Sequence, residues 1–432
     1  MNIRNISKMF LLWHNAPMWQ KIITGLVLGV ISGLVFGEST VMLKPLGDAF
    51  LHALHMVIVP VILSAVITAV TSVSDMQQMR RVTIKAFFVY LSFLFIATIL
   101  AITVSNLLQP GSGISMPEVH NHLGFQTHPN TLDHVPGVPG VMDMFVEMIP
   151  SNPVVAFVNA NILQIVVFGI LFGIAINLAG EHGKPLALLF NSISKVSMHL
   201  TQIIMYFAPY GVFALIAWTF GMFGITALLP LLKFIGVLLL TCVLLVTVVY
   251  GSIIVFYLKK SLLDFLRKIA PAITFAISTT SSGATLPVSI KCAEEGLRVP
   301  PRIAKFMLPL GCNFNLAGLA IYLTTAVIFT SNMLGITLTT TNYITLVSTV
   351  ILTTMGAGAI PGSGIVVMSA VISTMGMPLI ALPLIAGIDR INDMIQTATN
   401  VISDIFAAYI VAESEHAVGI VSMPVNSSAE LL

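Results

Sequence analysis

The run D-R-I-N-D-M-I-Q-T-A-T-N-V-I-S-D from Asp389 to Asp404 concentrates the chemistry of this chain. At 3.6 residues per turn, Asp393, Thr397, Asn400 and Asp404 fall at i, i+4, i+7 and i+11 and share one helix face. Asp389 and Gln396 flank that stripe on one side, Arg390 on the other. Met394, Ile395, Ala398, Val401 and Ile402 fill the remaining surface, which argues against a solvated helix with a polar face. Carboxylates and a guanidinium at membrane depth are expensive, so the stripe should face a cavity rather than lipid. Such a stripe can hold cations and a small polar solute. No nucleophile–base pair or metal-spaced His/Glu set sits among the apolar spans, so the chain is not read as an enzyme.

Two other tracts must reach that face. Ser278 to Pro287 reads S-T-T-S-S-G-A-T-L-P, and Gly356 to Gly364 reads G-A-G-A-I-P-G-S-G. Each interrupts an apolar region and is followed by a long apolar helix with a polar centre. That centre is N-F-N-L-A-G (Asn313 to Gly318) in one case and Asp389 to Asp404 in the other. Tight helix packing would explain one such tract by itself. A matched pair predicts two broken hairpins whose unwound backbone meets at a midplane site. Irregular backbone is permitted at that depth only where it lines a cavity or is buried in protein.

The composition suits that setting. Of 432 residues, 57% are hydrophobic and 8% charged, against roughly 25% charge in a soluble domain. Mean hydropathy is +0.99. Continuous apolar runs predict an all-α polytopic membrane protein and disfavour a β-barrel. A net charge of +2 offers no case for nucleic acid as a partner. Spans are expected at about 19–37, 43–72, 82–108, 154–179, 187–219 and 225–258. Ile22 to Phe36 reads as a retained span, since no small-residue cleavage site ends it. The polar stretch 109–150 carries His120, His122, His128 and His134 at irregular spacing, and reads as a solvated loop rather than a metal site. Cys242, Cys292 and Cys312 lack CxxC or His spacing, so neither a disulfide framework nor a zinc site is expected. Arg80, Arg81 and Lys85 form one basic cluster, and Lys259, Lys260, Arg267 and Lys268 another; none occurs between Ala86 and Gly183. The positive-inside rule then puts the N-terminus in the cytoplasm and the 109–150 loop outside, with Lys44 a minor exception.

These elements resemble the dicarboxylate/amino acid:cation symporter family, which includes the glutamate transporters. The likeness covers nearly the whole chain. Besides S-S-G-A-T-L-P, G-A-G-A-I-P-G and the D…T…N…D set, it takes in Asp143 to Gly180 and Ala208 to Trp218. It implies eight transmembrane helices plus two re-entrant helical hairpins, built as inverted repeats in a homotrimer within the lipid bilayer, here a plasma membrane of the bacterial inner type. It also implies an elevator mechanism. Scaffold helices one and two would occupy 1–72, transport-domain helix three 82–108, an extracellular loop 109–139, and scaffold helices four and five 140–219. The transport domain would continue over 225–413, with helix six, hairpin one at about 261–291, helix seven at about 300–331, hairpin two at about 340–378 and helix eight at about 379–413. A cytoplasmic tail would follow over 414–432.

Site roles follow from the same resemblance. Asp393 matches the family's ammonium-binding aspartate, and Asn400 and Ser282 match its groups for the α-carboxylate. Backbone at Thr280, Ser281 and Ser282 in one tip, and at Ala359, Ile360, Pro361 and Gly362 in the other, would close on the ligand; Thr397 matches a further contact. Gln396 stands where acidic amino-acid transporters place an arginine, and Leu319 where they place a threonine. Without a bidentate partner for a distal carboxylate, the expectation is a symporter coupling sodium entry to uptake of a small neutral amino acid. The alternative is a sodium- or proton-coupled symporter for acidic amino acids or C4-dicarboxylates, with Arg390 recruited to the pocket. A passive channel is a third reading, against which the enclosed paired hairpins argue. Sodium ions are the expected coupling ions, and no organic cofactor is expected. One cage matches carbonyls of Gly311, Asn315 and Asn400 with the Asp404 carboxylate; a second matches carbonyls of Asn313, Thr354, Met355 and Ala357. A third is damaged: Ala317 replaces its aspartate, and Phe93 and Leu94 replace hydroxyl residues beside the retained Tyr90.

Overall fold

A chain that meets lipid must satisfy its backbone N–H and C=O groups within itself, and every regular element among the described residues is helical. The computed structural model describes residues 18–72, 80–113, 146, 148–355, 357 and 363–416. The four loop histidines lie outside those residues.

Helix α1 (Met18–Phe36) runs into a 3-10 turn (Gly37–Leu43), then α2 (Lys44–Met56) and α3 (Ile58–Ser72). Helix α4 spans Arg80–Leu108, α5 Pro153–Val158, α6 Ile162–Leu178, α7 Lys184–Met205 and α8 Ala208–Phe223. Helices α7 and α8 meet at 53°, with Pro209 in the first turn of α8, where a missing N–H costs no helical bond. Gly25, Gly29 and Gly33 form a seam along α1. A Cβ at each would run into Pro209, Ile216 or Phe220 of α8. Small residues at every fourth position let two membrane helices approach to backbone contact.

Helix α9 (Leu228–Leu244) continues through two π-helical segments to Tyr257. Helices α10 (Leu262–Thr279) and α11 (Ser282–Lys291) then form the first hairpin. Helix α12 (Pro301–Phe314) breaks at Asn315–Leu316 before α13 (Ala317–Leu334). Helix α13 is apolar all round and buried on all sides save Asn332, as a helix at the centre of a bundle should be. Helices α14 (Thr340–Thr354) and α15 (Ser363–Thr374) make the second hairpin. A 3-10 turn (Leu379–Ala381), α16 (Leu382–Gly387) and α17 (Asp389–His416) complete the described chain.

Two differences from the sequence reading have local causes. The last helix is not continuous from 379: it breaks at Ile388, whose backbone leaves the helical region, and the long helix restarts at Asp389. Pro383 opens the short α16, and a Cβ on Gly387 would overlap Ile216 of α8, so the segment is shaped by a close crossing. The count of spans also differs. Five helical stretches among the described residues are long and apolar enough to cross a bilayer, six with the bent α7–α8 pair. One of the five, Gln20–Thr71, holds both passes expected between 19 and 72. The two hairpins divide their apolar residues among shorter helices.

The basic clusters gather at one end of the molecule. Arg81 Nε lies 3.3 Å from Glu415 Oε1 at the end of α17, Lys85 pairs with the same carboxylate, and Lys260 pairs with Glu413.

Candidate functional site

Three backbone breaks supply the site. The first is the tip of the α10–α11 hairpin. Ser261 caps the start of α10 and Ser281 the start of α11, each accepting a backbone N–H. Between the arms, Thr280 takes φ +50°, a left-handed conformation that a β-branched residue rarely adopts. That strained turn aims the Thr280 hydroxyl at α17, where it accepts from Arg390 Nη1 at 2.8 Å. Thr280, Ser281 and Ser282 are all buried.

The second break, at Asn315–Leu316, leaves the first N–H groups of α13 without intrahelical partners. Asn400 of α17 meets one of them: its Oδ1 accepts from Gly318 N at 2.7 Å. The Asn400 side-chain oxygen is thereby engaged within the protein. Gly318 is required here, since a Cβ would overlap the backbone of Gln396. The third break follows α14. Thr354, Met355 and Ala357 are buried there, while Ala359, Ile360, Pro361 and Gly362 lie outside the described residues.

Helix α17 crosses all of this with the predicted stripe intact: Asp393, Thr397, Asn400 and Asp404 are buried on it. Its two flanks differ. On one, Arg390 Nη1 donates to Asp393 Oδ2 at 2.9 Å, and Nη2 donates to Met205 Sδ of α7 at 3.2 Å. Arg390 is 7% exposed and is the only buried cation among the described residues. It therefore pairs with Asp393 rather than reaching for the membrane surface. A cavity of about 230 Å³ opens beside it, between Met18, Ile22 and Met205 on one side and Thr280, Arg390 and Met394 on the other.

On the opposite flank the groups are neutral apart from Asp389. Gln396 is buried next to Leu319, Tyr322 and Gly364: a Cβ on Gly364, in the first turn of α15, would lie 3.3 Å from the Tyr322 ring and 3.4 Å from Gln396 Oε1. Tyr322 donates its hydroxyl to Asp389 Oδ1 at 3.0 Å. The sequence reading passed over Tyr322, Asn392 and Met205. Asn392 was within reach of it, because it sits four residues before Gln396 on the same face. Tyr322 and Met205 carry no local signal, since each lies in an ordinary apolar helix.

A cation site can be tested on the groups present. Asn315 Nδ2 donates to Asp404 Oδ1 at 3.0 Å and to Ser403 Oγ at 2.9 Å. Asn315 Oδ1 is buried beside that carboxylate with no partner. A Cβ on Gly311 would press on the Asp404 carboxylate and the Tyr90 hydroxyl. A carboxylate, an orphaned amide oxygen and a glycine that keeps the space clear suit a small hard cation that takes oxygen ligands. Asn313, in the second predicted set, is half-buried in the last turn of α12, and its Nδ2 donates to Pro309 O. The third predicted site has no such chemistry. Phe93 stacks on Phe406 with centroids 5.5 Å apart and lies 4.8 Å from Tyr250. Leu94 and Ala317 are fully buried, and Tyr90 donates its hydroxyl to Met307 O. Phe93 thus belongs to an aromatic cluster with Phe406 and Tyr250.

The buried stripe also has a charge excess. Asp389, Asp393 and Asp404 against Arg390 leave two carboxylates more than cations. Uncompensated charge of that kind is strongly unfavourable at low dielectric, so the arrangement favours a bound cation or proton beside these carboxylates.

Comparison with known proteins agrees with this geometry. The model of the sodium:dicarboxylate symporter family matches residues 18–414. A proton/sodium-glutamate symport protein of Geobacillus stearothermophilus is 33% identical over 92% of this chain and 94% of its own length. A proton/glutamate-aspartate symporter of Escherichia coli is 33% identical over 92% of both chains. A C4-dicarboxylate transport protein of Rhodospirillum rubrum is 34% identical over 92% of this chain and 88% of its own.

Proposed function

The chain belongs to the sodium:dicarboxylate symporter family, and we propose that it is a secondary active symporter for a small acidic amino acid or C4-dicarboxylate, driven by sodium or protons. This replaces the neutral amino acid as the leading reading. That expectation rested on Gln396 and Leu319, which lack a charge for a distal carboxylate. The relatives above are named for glutamate, aspartate or C4-dicarboxylates.

One observation carries the proposal: the Arg390–Asp393 pair, buried at the tip of the first hairpin. It supplies a fixed cation next to the groups that match the α-carboxylate site. It also neutralises the aspartate that would otherwise repel a solute without an ammonium group. A solute ammonium can take Asp393 while its carboxylate takes the guanidinium, so the pair exchanges partners and leaves no charge alone. A dicarboxylate can share Arg390 while Asp393 keeps its contact.

Sodium would be held by Gly311, Asn315, Asn400 and Asp404, with a second ion at the carbonyls of Asn313, Thr354, Met355 and Ala357. Loss of the third cage predicts fewer sodium ions per solute than three, or a proton in place of one. The wider arrangement is part of the same proposal: a scaffold of residues 1–72 and 140–219, a transport domain of 82–108 and 225–413 that moves as an elevator, eight spans with two re-entrant hairpins, a homotrimer, and cytoplasmic termini. The cations of α4 and of the α10 base meeting the end of α17 support that orientation.

The test is a thermal-shift screen of the purified protein against aspartate, glutamate, succinate, alanine and serine, with and without sodium, since a ligand that binds only the folded state raises its melting temperature. Sodium-dependent shifts with the acidic ligands are expected. Shifts confined to alanine or serine would restore the neutral amino acid.

A further inference from the structure

Two carboxamides on α17 have no use within the protein. Asn392 is fully buried, and neither Oδ1 nor Nδ2 has a hydrogen-bond partner. Gln396 is 3% exposed, and its Nε2 is likewise unpaired. Buried amides are normally satisfied, so three orphaned atoms within one turn call for an absent partner. The residues are four apart and lie on one helix face. Asp389, one turn earlier on that face, meets Tyr322, and Gln396, one turn later, lies beside Gly364. Along the axis Asn392 lies between them, and around it about 40° beyond Gln396, on the side away from Asp393. Around the helix axis, Gln396 lies about 60° to one side of Asp393 and Arg390 about 60° to the other. The amides are the end of the site away from the guanidinium.

We propose that Asn392, together with Gln396, determines specificity at the far end of the solute, and that it takes an uncharged planar group with both a donor and an acceptor: the distal carboxyl of an acidic solute in its proton-bearing form. The inventory fits. Asn392 Nδ2 and Gln396 Nε2 donate to the carbonyl oxygen, and Asn392 Oδ1 accepts from the O–H. An ionised carboxylate would offer acceptors only and would leave Asn392 Oδ1 facing a negative oxygen. The charged surroundings oppose it further. Asp389 and Asp393 are carboxylates on the same helix, and the Tyr322 hydroxyl is committed to Asp389. Arg390 is on the opposite flank, α15 carries no titratable side chain, and Tyr322 is the only one on α13. The proton is taken from water outside as part of the solute's own O–H and is released to water inside; no protein bond is made or broken. The inference rests on the acidic-solute reading above and says how such a solute fits a pocket that lacks the second cation.

The experiment is binding to the full-length protein in saturating sodium, by calorimetry, with aspartate, asparagine and alanine between pH 5.5 and 7.5. Asparagine is a permanently uncharged isostere of protonated aspartate. The acid form of aspartate's side chain, with an ordinary pKa near ~3.9, falls about tenfold per pH unit over this range. The apparent Kd of aspartate should therefore rise about tenfold per unit, while the values for asparagine and alanine stay level. Asn392→Leu should lower the asparagine-to-alanine affinity ratio at least tenfold. The substitution removes an unsatisfied amide and replaces it with an apolar group of similar size, which folding tolerates. Aspartate affinity that is flat with pH would overturn the proposal on the unmodified protein alone, as would a variant that weakens all three ligands equally. Failure of the acidic reading itself looks different: alanine binds and aspartate does not at any pH.

Discussion

The two ends of the site are built from different physics. At the hairpin-one end a guanidinium sits on a strained threonine and an aspartate. At the hairpin-two end there are amides, a leucine and a phenol bonded to Asp389, with a glycine where α15 presses in and no cation. A fixed charge at low dielectric selects strongly for opposite charge and must be paired at every stage of transport. Dipoles select for shape and hydrogen-bonding pattern and can be left empty at smaller cost. A solute gripped by charge at one end and sorted by dipoles at the other explains how one family scaffold can serve solutes that share a carboxylate and differ beyond it.

The contrast can be broken from the charged end first. Arg390→Ala should lower the affinity for aspartate and succinate about 100-fold, because truncating one partner of a buried hydrogen-bonded charge pair typically costs binding about 2–5 kcal/mol, and it leaves Asp393 alone. Calorimetry should show this alongside a lower melting temperature. Unchanged affinities alongside a lower melting temperature would mean the guanidinium only holds the fold. Next in size is the ion site. Asp404→Asn keeps the shape but removes the charge beside Asn315 and Gly311, and should raise the sodium concentration for half-maximal uptake more than ~10-fold, since each tenfold step needs only about 1.4 kcal/mol. An unchanged sodium dependence would place the ion elsewhere.

The neutral end should respond by changing selectivity. Gln396→Arg introduces a charged donor beside Gly364 and should favour aspartate over alanine by about tenfold, in line with the ~1.5–3 kcal/mol of a charged hydrogen bond. An unchanged ratio would move the distal group away from Gln396. The smallest effect is expected of Gly364→Ala. Its methyl would sit 3.3 Å from the Tyr322 ring and 3.4 Å from Gln396 Oε1, so a few-fold loss of affinity, on the order of 1 kcal/mol, is expected from overpacking. Gain of affinity would show that this end is loosely closed.

Much of this was legible in the amino-acid order. The stripe from Asp393 to Asp404 follows from helical period alone, and the hairpin tips follow from Gly, Ser and Thr interrupting apolar runs. The expectation that a third cage is lost rests on Ala317, Phe93 and Leu94, and Phe93 is taken up in an aromatic stack on Phe406. What stayed hidden depends on distant partners. The Arg390–Asp393 pair lies within one helix at a spacing of three and was within reach of the sequence, but the Thr280 hydroxyl that joins it arrives from a hairpin 110 residues away. Asn400 was assigned to the solute, yet half of its amide caps a broken helix 82 residues away. Tyr322 and Met205 matter only because α13 and α7 carry them to α17.

The central claim is that a solute carboxylate is held by Arg390 while cations enter with it. Uptake of radiolabelled aspartate into proteoliposomes, driven by an inward sodium gradient, tests it most directly when competed with unlabelled succinate and unlabelled serine. The account predicts sodium-dependent accumulation that succinate suppresses and serine does not. Accumulation without any sodium or proton gradient, or suppression by serine alone, would contradict it.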